Sequence, residues 1–354
     1  MTDERKAYYW LGSSGLSAKK AGMLLEIYGS PSEIMSAAGR EEKLREFCGN
    51  AYDALVARAD EELLTRELRE IKSKGIRVIV PCSEFYPERL SRSMEYPPVA
   101  LFAKGNCELL TRPSLAMVGS RASTDYGRRV ATEWAAELSE KFTIVSGHAT
   151  GIDTYALGGA LSSGGSAISV LACGHDKFDA PAFMKNSSDR VLLIGEYPPG
   201  RASNKFVYHE RNRLISGLSD GVVIVEAGEK SGALITARAA AEQGKPLFAV
   251  PGSVFSTRCA GTNALLRGGA TAACSPSDIL EDMGYETRLK ESVTELTGSR
   301  AKVAELLRDG DAHFDDIAEK LGMSAGEAAE LLGEMELEGL IERKMMNRYS
   351  LLVR

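Results

Sequence analysis

Residues 115–153 read LAMVGSRASTDYGRRVATEWAAELSEKFTIVSGHATGID, and this stretch decides the fold class. Leu115-Ala116-Met117-Val118 is an unbroken apolar run of strand length, closed by Gly119-Ser120-Arg121. A helical run follows from about Tyr126 to Glu140. Then come a second apolar strand, Thr143–Val145, and a second glycine-rich turn, Ser146–Gly151, leading into Asp153. Strands that are apolar throughout, without alternation, belong to a parallel sheet covered on both faces. The pattern continues with a helix to Leu161, strands Ala167–Leu171 and Val191–Ile194, and a helix from Arg211. Strand Val222–Val225, a helix from Gly232 to Gln243 and strand Leu247–Val250 complete it. Repeated βα units predict an α/β fold, a doubly wound Rossmann-like parallel sheet over residues 76–285. Such sheets bind ligands outside the C-terminal strand ends, where these glycine turns fall.

Two further segments flank the sheet. Residues 1–75 read as a small helical domain, in which Leu11-Gly12-Ser13-Ser14-Gly15-Leu16 precedes an amphipathic run from Ala18 to Tyr28. A glycine turn opening a helix suits either a phosphate-holding helix-hairpin-helix (SAM-like) element or plain packing. Residues 298–354 read as three helices, Arg300–Leu307, Phe314–Leu321 and Ser324–Glu338, then two short strands around Met346-Asn347. That order is a winged helix, and Ser324 with Glu327 forms a capping box. Its third helix carries Glu327, Glu330, Glu334, Glu336 and Glu338 and no Lys or Arg, so phosphates flanking a major groove would repel it. Of the recognition helix and the wing, only the wing has cations, Arg343, Lys344 and Arg348, which favours a protein-contact role over DNA reading.

Composition narrows the function classes. A chain of 354 residues suggests two or three domains, and a net charge of −6 excludes a polybasic coat. Any nucleic-acid site must therefore concentrate its cations on one face. The six cysteines form no CxxC pair and there are four histidines, which argues against a zinc site and for reduced cytosolic thiols. No signal-peptide core and no membrane-length apolar run is present, so a cytoplasmic protein without a membrane partner is expected.

Residues 204–217, Asn-Lys-Phe-Val-Tyr-His-Glu-Arg-Asn-Arg-Leu-Ile-Ser-Gly, set Lys205, Arg211 and Arg213 among Phe206 and Tyr208. Cations interleaved with aromatics suit single-stranded nucleic acid, because cations hold phosphates and a ring stacks on an unpaired base. Gly119-Ser120-Arg121 suits an anion, with small residues admitting a phosphate to backbone amides and Arg121 adding a forked cation. The turn lacks GxGxxG, and the chain has no GxxxxGK[ST], so no nucleotide cofactor is implied. Ser146–Gly151 and Glu226–Gly232 add further small-residue loops at the same sheet edge. Asp153, Glu196 and Glu226 have the chemistry of acids or bases, but equally of helix caps and loop-ordering groups.

Taken in order, these loops resemble the DprA/Smf family of DNA-processing proteins of natural transformation. The matching residues are Val118-Gly119-Ser120-Arg121 with Tyr126-Gly127, Val145-Ser146-Gly147 with Gly151-Ile152-Asp153, and Glu196-Tyr197-Pro198-Pro199-Gly200. Next come Arg211 to Leu218, Val225-Glu226-Ala227, Ser231 to Arg238, Val250-Pro251-Gly252 and Gly261-Thr262-Asn263. The resemblance covers about residues 80–285. It implies a binding protein and not an enzyme: it holds single-stranded DNA, dimerises through its Rossmann-like domain, protects incoming DNA and helps load RecA recombinase. It also implies a DNA site made of Gly119, Ser120, Arg121, Ser146, Gly147, Lys205, Tyr208, Arg211, Asn212, Arg213, Ser231 and Gly232. Leu157 stands where the family has His, and Phe178-Asp179-Ala180-Pro181 replaces its usual Tyr-Pro segment. Two rival readings are a phosphoribohydrolase-like enzyme and a winged-helix transcription regulator. Pro251-Gly252-Ser253 lacks the Gly-x-Gly-Thr continuation of the first, and the acidic third helix opposes the second.

Overall fold

The computed structural model describes residues 3–285, 296–308 and 310–351, without the side chains of Asp3 and Lys205. The chain forms two compact units, Met1–Tyr285 and Glu286–Arg354. Nine strands build the sheet of the first: β1 Arg77–Ile79, β2 Leu101–Gly105, β3 Ser114–Val118, β4 Thr143–Ser146, β5 Ala167–Val170, β6 Val191–Gly195, β7 Gly221–Ile224, β8 Leu247–Ala249 and β9 Thr271–Ala272. Their spatial order is β1-β2-β6-β5-β4-β3-β7-β8-β9. From β6 to β9 neighbouring strands are parallel, while β2 pairs antiparallel with β6 and β1 with β2. The chain starts mid-sheet at β3, winds outward to β6, then crosses back to lay β7 against the other side of β3. The winding direction reverses between β3 and β7, which makes their C-terminal ends the topological switch point.

Helices cover both faces. Leu214 and Ile215 of the helix Lys205–Gly217 and Ala237 and Ala240 of the helix Ala233–Glu242 pack on one face. Val130 and Ala135 of the helix Asp125–Leu138 and Ala156 and Ala160 of the helix Ile152–Ser162 pack on the other. Burial on both sides explains the uniformly apolar strands. The expected α/β sheet is present, with an antiparallel edge of β2 and β1 that the βα alternation does not announce.

Six α-helices lie between Asp3 and Ser73. Their core of Trp10, Leu24, Ile34 and Leu55 also contains Val99 and Phe102, so it is continuous with the sheet edge. Phe102 meets Tyr9 edge-to-face at 6.2 Å, and Trp10 Nε1 donates to the Leu55 carbonyl at 2.9 Å. The glycine turn at residues 11–16 faces inward: Ser14 is buried, and its hydroxyl donates to the Leu11 carbonyl. Ser17 already accepts from the Lys20 amide at the next helix N-terminus. Among the described residues the packing account of this turn is the one with contacts behind it.

The second unit has helices Gly298–Arg308, Phe314–Leu321 and Ala325–Leu337 around Val303, Ile317 and Leu332. Strands β10 Ala312–His313, β11 Ile341–Lys344 and β12 Arg348–Leu351 form an antiparallel sheet in the order β10-β12-β11. The Ser324–Glu327 capping box is formed in full. Arg300 bridges Glu334 and Glu338 at 2.9 Å each.

Because Phe102 joins the helical segment to the sheet, Phe102→Ala should cost about 3–5 kcal/mol. In a Trp134→Phe background, urea unfolding followed by Trp10 fluorescence and by circular dichroism should then show one shared transition for the helices and the sheet. Separate transitions would contradict a continuous core.

Candidate nucleic-acid interface

A cleft of about 520 Å³ opens at the switch point, lined by the loops after β3 and β7 and by the helix Lys205–Gly217. Its charged lining is Arg121, Arg211, Lys230 and Arg258 against the single carboxylate Asp153. This acidic protein therefore gathers cations here, where the low-dielectric walls of a cleft focus the field.

The loops interlock through their backbones. Ser120 N donates to the Glu226 carbonyl at 2.7 Å, tying the β3 turn to the β7 turn, and Ile152 N donates to the Ser120 carbonyl at 3.2 Å. Gly119 fits because a Cβ there would sit 2.6 Å from Ile152 and 2.8 Å from the Glu226 carbonyl. Gly151 adopts a φ of +90°, and a Cβ would lie 2.3 Å from the Ser120 carbonyl. Glu226 is fully buried and accepts from Thr124 N at 2.9 Å, at the start of the helix Asp125–Leu138. Glu226 thus orders a loop and a helix start, one of the two roles its chemistry allowed.

Helix geometry sorts the residues of the 204–217 stretch. Asn204 caps the helix by accepting from Val207 N at 3.0 Å. Tyr208, Arg211, Asn212 and Ile215 then recur at helical spacing and line the cleft. Arg213 lies two positions beyond Arg211, about 200° around the axis. It turns away to pair with Glu196 and donates to the Tyr96 carbonyl at 3.2 Å. The expectation that Arg213 contacts phosphate is therefore corrected: it fastens the helix to the neighbouring loops. Burial pushes the Glu196 carboxyl up, and Arg213 opposes that shift.

Arg211 also departs from its expected place among exposed cations. It is 3% exposed, donating from Nη1 to the Gly147 carbonyl and to the Val170 carbonyl at 2.6 Å. Gly147 is required beneath it, since a Cβ there would lie 2.3 Å from the guanidinium. Asp153 accepts from Ala149 N at 3.2 Å and Gly119 N at 3.4 Å. Burial pushes the Asp153 carboxyl up, and Arg211 is the main influence holding it down. Burial likewise pulls Arg211 down, with Asp153 opposing. Ser146, expected on the loop, belongs to β4, is fully buried and donates to the Met117 carbonyl at 2.6 Å. Ser146 and Gly147 thus support the cleft from beneath and do not face it.

At the surface of the cleft, Arg121 is exposed and its guanidinium sits 5.1 Å from the Tyr208 ring centroid, with Arg211 at 5.8 Å. Both cations lie within about 6 Å of the ring centroid, an approach favoured by its quadrupole. Gly119, Ser120, Asn212, Ser231 and Gly232 line the cleft as well. Asn212 Nδ2 donates to the Gly232 carbonyl at 3.3 Å. The side chain of Lys205 lies outside the described residues; its backbone opens the helix. Sequence reading missed Lys230, His209 and Arg258, all of which line the cleft. Lys230 had a signal, since it follows the Glu226 turn at a strand end. Arg258 had none, because it approaches from the loop after β8 to donate to the Ala122 carbonyl.

Two of the positions that depart from the DprA/Smf pattern, Leu157 and Phe178, are packing positions, while Asp179 is exposed and pairs with Lys185. Leu157 is fully buried with Leu161, Met184 and Val191. Phe178 meets His148 edge-to-face at 5.1 Å. His148 holds a left-handed φ of 55° beside Gly147. Burial first, and Arg211 second, keep its imidazole below the ordinary value.

Fold and cleft define a class: a Rossmann-like α/β protein with a cationic cleft at its switch point and a separate winged-helix unit. Residues 77–284 match the family described as DNA recombination-mediator protein A, and residues 288–344 match the DprA winged helix domain. The chain belongs to the DprA family. It is 38% identical over 225 residues to the DNA processing protein DprA of Bacillus subtilis, covering 62% of this chain and 75% of that protein. It is 33% identical over 313 residues to a putative DprA of Mycobacterium tuberculosis, covering 81% and 80%. The X-ray structure of DprA from Streptococcus pneumoniae superposes with a TM-score of 0.66 at 32% identity, covering 81% of this chain and 100% of that one. A Helicobacter pylori DprA structure, described by its single-stranded DNA binding mode, gives 0.52 at 29% identity, covering 59% and 95%.

Arg211→Gln should be destabilising by about 3–5 kcal/mol at neutral pH, because it leaves Asp153 buried without its counter-charge. Asp153 has its folded pKa raised above the unfolded value, and more so in this variant. The folded state then binds the extra proton, so stability falls as pH rises between the two values. Urea unfolding should show the variant recovering part of its deficit as pH drops from 7 to 4. A deficit independent of pH would refute the pairing.

Proposed function

We propose that this protein binds single-stranded DNA in the switch-point cleft, protects incoming DNA and helps load a RecA-type recombinase during natural transformation. The carrying observation is the Tyr208 ring held by Arg121 at the mouth of a cation-lined cleft. A half-exposed aromatic beside the exposed Arg121 sets a stacking group next to phosphate-binding charge, the combination that sequence-tolerant single-strand sites use. The description of the Helicobacter pylori relative supports the same ligand. Gly119, Ser120, Arg121, Lys205, Tyr208, Asn212, Lys230, Ser231, Gly232 and Arg258 form the proposed contact surface; Ser146, Gly147, Arg211 and Arg213 hold it in shape. The proposed action is binding and not catalysis, in the cytoplasm. Among the described residues no helix is long and apolar enough to cross a membrane.

A homodimer through the α/β unit suits this ligand, because a second linked site turns the next contact along a strand into an intramolecular one. The winged helix is proposed as a protein-contact module, for a partner or the dimer mate.

In gel shifts, single-stranded oligonucleotides should bind ahead of duplex of the same sequence. Each phosphate contact should add about 0.7 to the fall of log affinity against log salt. Tyr208→Ala should lose roughly 1–3 kcal/mol of affinity while Tyr208→Phe keeps most of it. Equal binding of duplex and single strand, or equal damage from both substitutions, would sink the reading.

Light scattering should report a dimer at micromolar concentration. Removing residues 298–354 should change single-strand affinity less than about tenfold at physiological salt, since exposed wing charges are screened. A much larger loss in a folded, dimeric truncation would place DNA on the winged helix.

A further inference from the structure

We infer that the loop after β8, carrying Phe255, is a second base-stacking platform that extends the single-strand track beyond the cleft; the inference rests on the single-strand reading above. Phe255 is 95% exposed and Val254 83% exposed. Phe206, on the cleft helix itself, is also exposed at 82%, whereas Phe255 carries an exposed ring on a separate loop. The loop that carries it is firmly built. Gly252 N donates to Asn263 Oδ1 at 3.3 Å, and Asn263 Nδ2 donates back to the Gly252 carbonyl at 3.0 Å. A Cβ on Gly252 would lie 2.3 Å from Cys259 Sγ, so loop and following helix are closely packed. Ser256 N donates to the Ser253 carbonyl at 3.0 Å, and Ser253 Oγ accepts from Phe255 N at 3.3 Å. Tyr126, itself half-exposed, donates its hydroxyl to the Pro251 carbonyl at 3.0 Å. A loop restrained at so many points loses little freedom when a ligand settles on it.

What occupies the ring follows from its neighbours. Arg258, three residues on, lines the cleft and donates to the Ala122 carbonyl, beside Arg121. Tyr208 thus adjoins Arg121, Arg258 binds the residue next to Arg121, and Phe255 stands three residues before Arg258 on the same loop. An aromatic stands at each end of this series with two cations between, the groups that bases and phosphates of one strand engage. Pro251 to Arg258 contains no carboxylate, so nothing on the loop repels a phosphate. A strand longer than the cleft would leave it along this series.

The test is fluorescence anisotropy with labelled oligo-dT of graded length, using the full chain and its Phe255→Ala and Tyr208→Ala variants. Tyr208→Ala should weaken binding at every length. Phe255→Ala should match the parent on the shortest oligonucleotides and weaken long ones by on the order of tenfold. Phe255→Trp should show indole quenching with long strands and none with short ones. Thermal melts and light scattering of each variant accompany the titrations. Parent-like affinity of Phe255→Ala at all lengths, while Tyr208→Ala is impaired, overturns this inference and leaves the cleft reading intact. Conversion of Phe255→Ala from dimer to monomer, with no length-dependent loss, overturns it by giving the face to a second copy of the chain. No single-strand binding by the parent would overturn both.

Discussion

A guanidinium almost without water underlies the cleft. Arg211 is 3% exposed, and a cation so placed is tolerated only where other groups replace its hydration. Here those groups are the carbonyls of Gly147 and Val170, at the ends of β4 and β5, with Asp153 as counter-charge. Asp153 in turn accepts from amides of Gly119 and Ala149, at the ends of β3 and β4. Two buried opposite charges, each hydrogen-bonded to backbone groups, thus fix three strand-end turns and the helix that carries Tyr208. The turns need not be stiff in themselves, because their carbonyls and amides are the solvation shell of that pair.

The position of this pair follows from topology. Reversal of winding between β3 and β7 leaves a gap between their following loops, and every doubly wound sheet has such a gap. What differs is how the gap is furnished. Here the two turns are joined across it by Ser120 N and the Glu226 carbonyl at 2.7 Å. Glycines at 119 and 151 permit that approach, since side chains there would meet carbonyl oxygens at 2.8 and 2.3 Å. The floor is closed by backbone contacts, and the side chains of Arg121, Lys230 and Arg258 are left to set its potential.

Much of this was readable from the chain. The apolar strands, the glycine turns and the placement of ligand chemistry at the C-terminal strand ends follow from periodicity and turn residues. So did the cation and aromatic at Arg121 and Tyr208, which the structure brings to 5.1 Å of one another. What sequence spacing misjudged was exposure. Arg211 and Arg213 look equivalent in a basic run, yet a two-residue step on a helix separates them by about 200°. One then points beneath the cleft and the other toward Glu196. Ser146 looked like part of a glycine loop but completes β4. Arg258 was not legible, because only the packing of the β8 loop against the β3 turn carries it to Ala122. The antiparallel strands β1 and β2 were hidden for a different reason: β1 has three residues, and β2, Leu101–Gly105, ends in Lys104 and Gly105 and so lacks the unbroken apolar run of the parallel strands.

The winged helix has its usual shape with an unusual distribution of charge. Glu334 and Glu338 of its third helix are held by Arg300 from the first helix, so two acids serve the packing of the unit itself. Glu327 is committed to the Ser324 cap, whose hydrogen bonds hold its carboxyl below the usual range. The wing cations are similarly engaged: Lys344 with Asp311, Arg348 with the Asp311 carbonyl and Arg343 with Asn347. These acids and wing cations thus have partners inside their own unit, and the third helix carries no Lys or Arg to neutralise a phosphate. Counterion release, the main source of non-specific DNA affinity, needs unengaged cations facing the duplex. The unit instead exposes Leu337, Met345 and Met346, at 86% or more each, around its third helix and wing. Flexible methionines beside an acidic helix are a surface suited to protein contact, while the cations that a nucleic acid needs are concentrated at the switch point of the sheet.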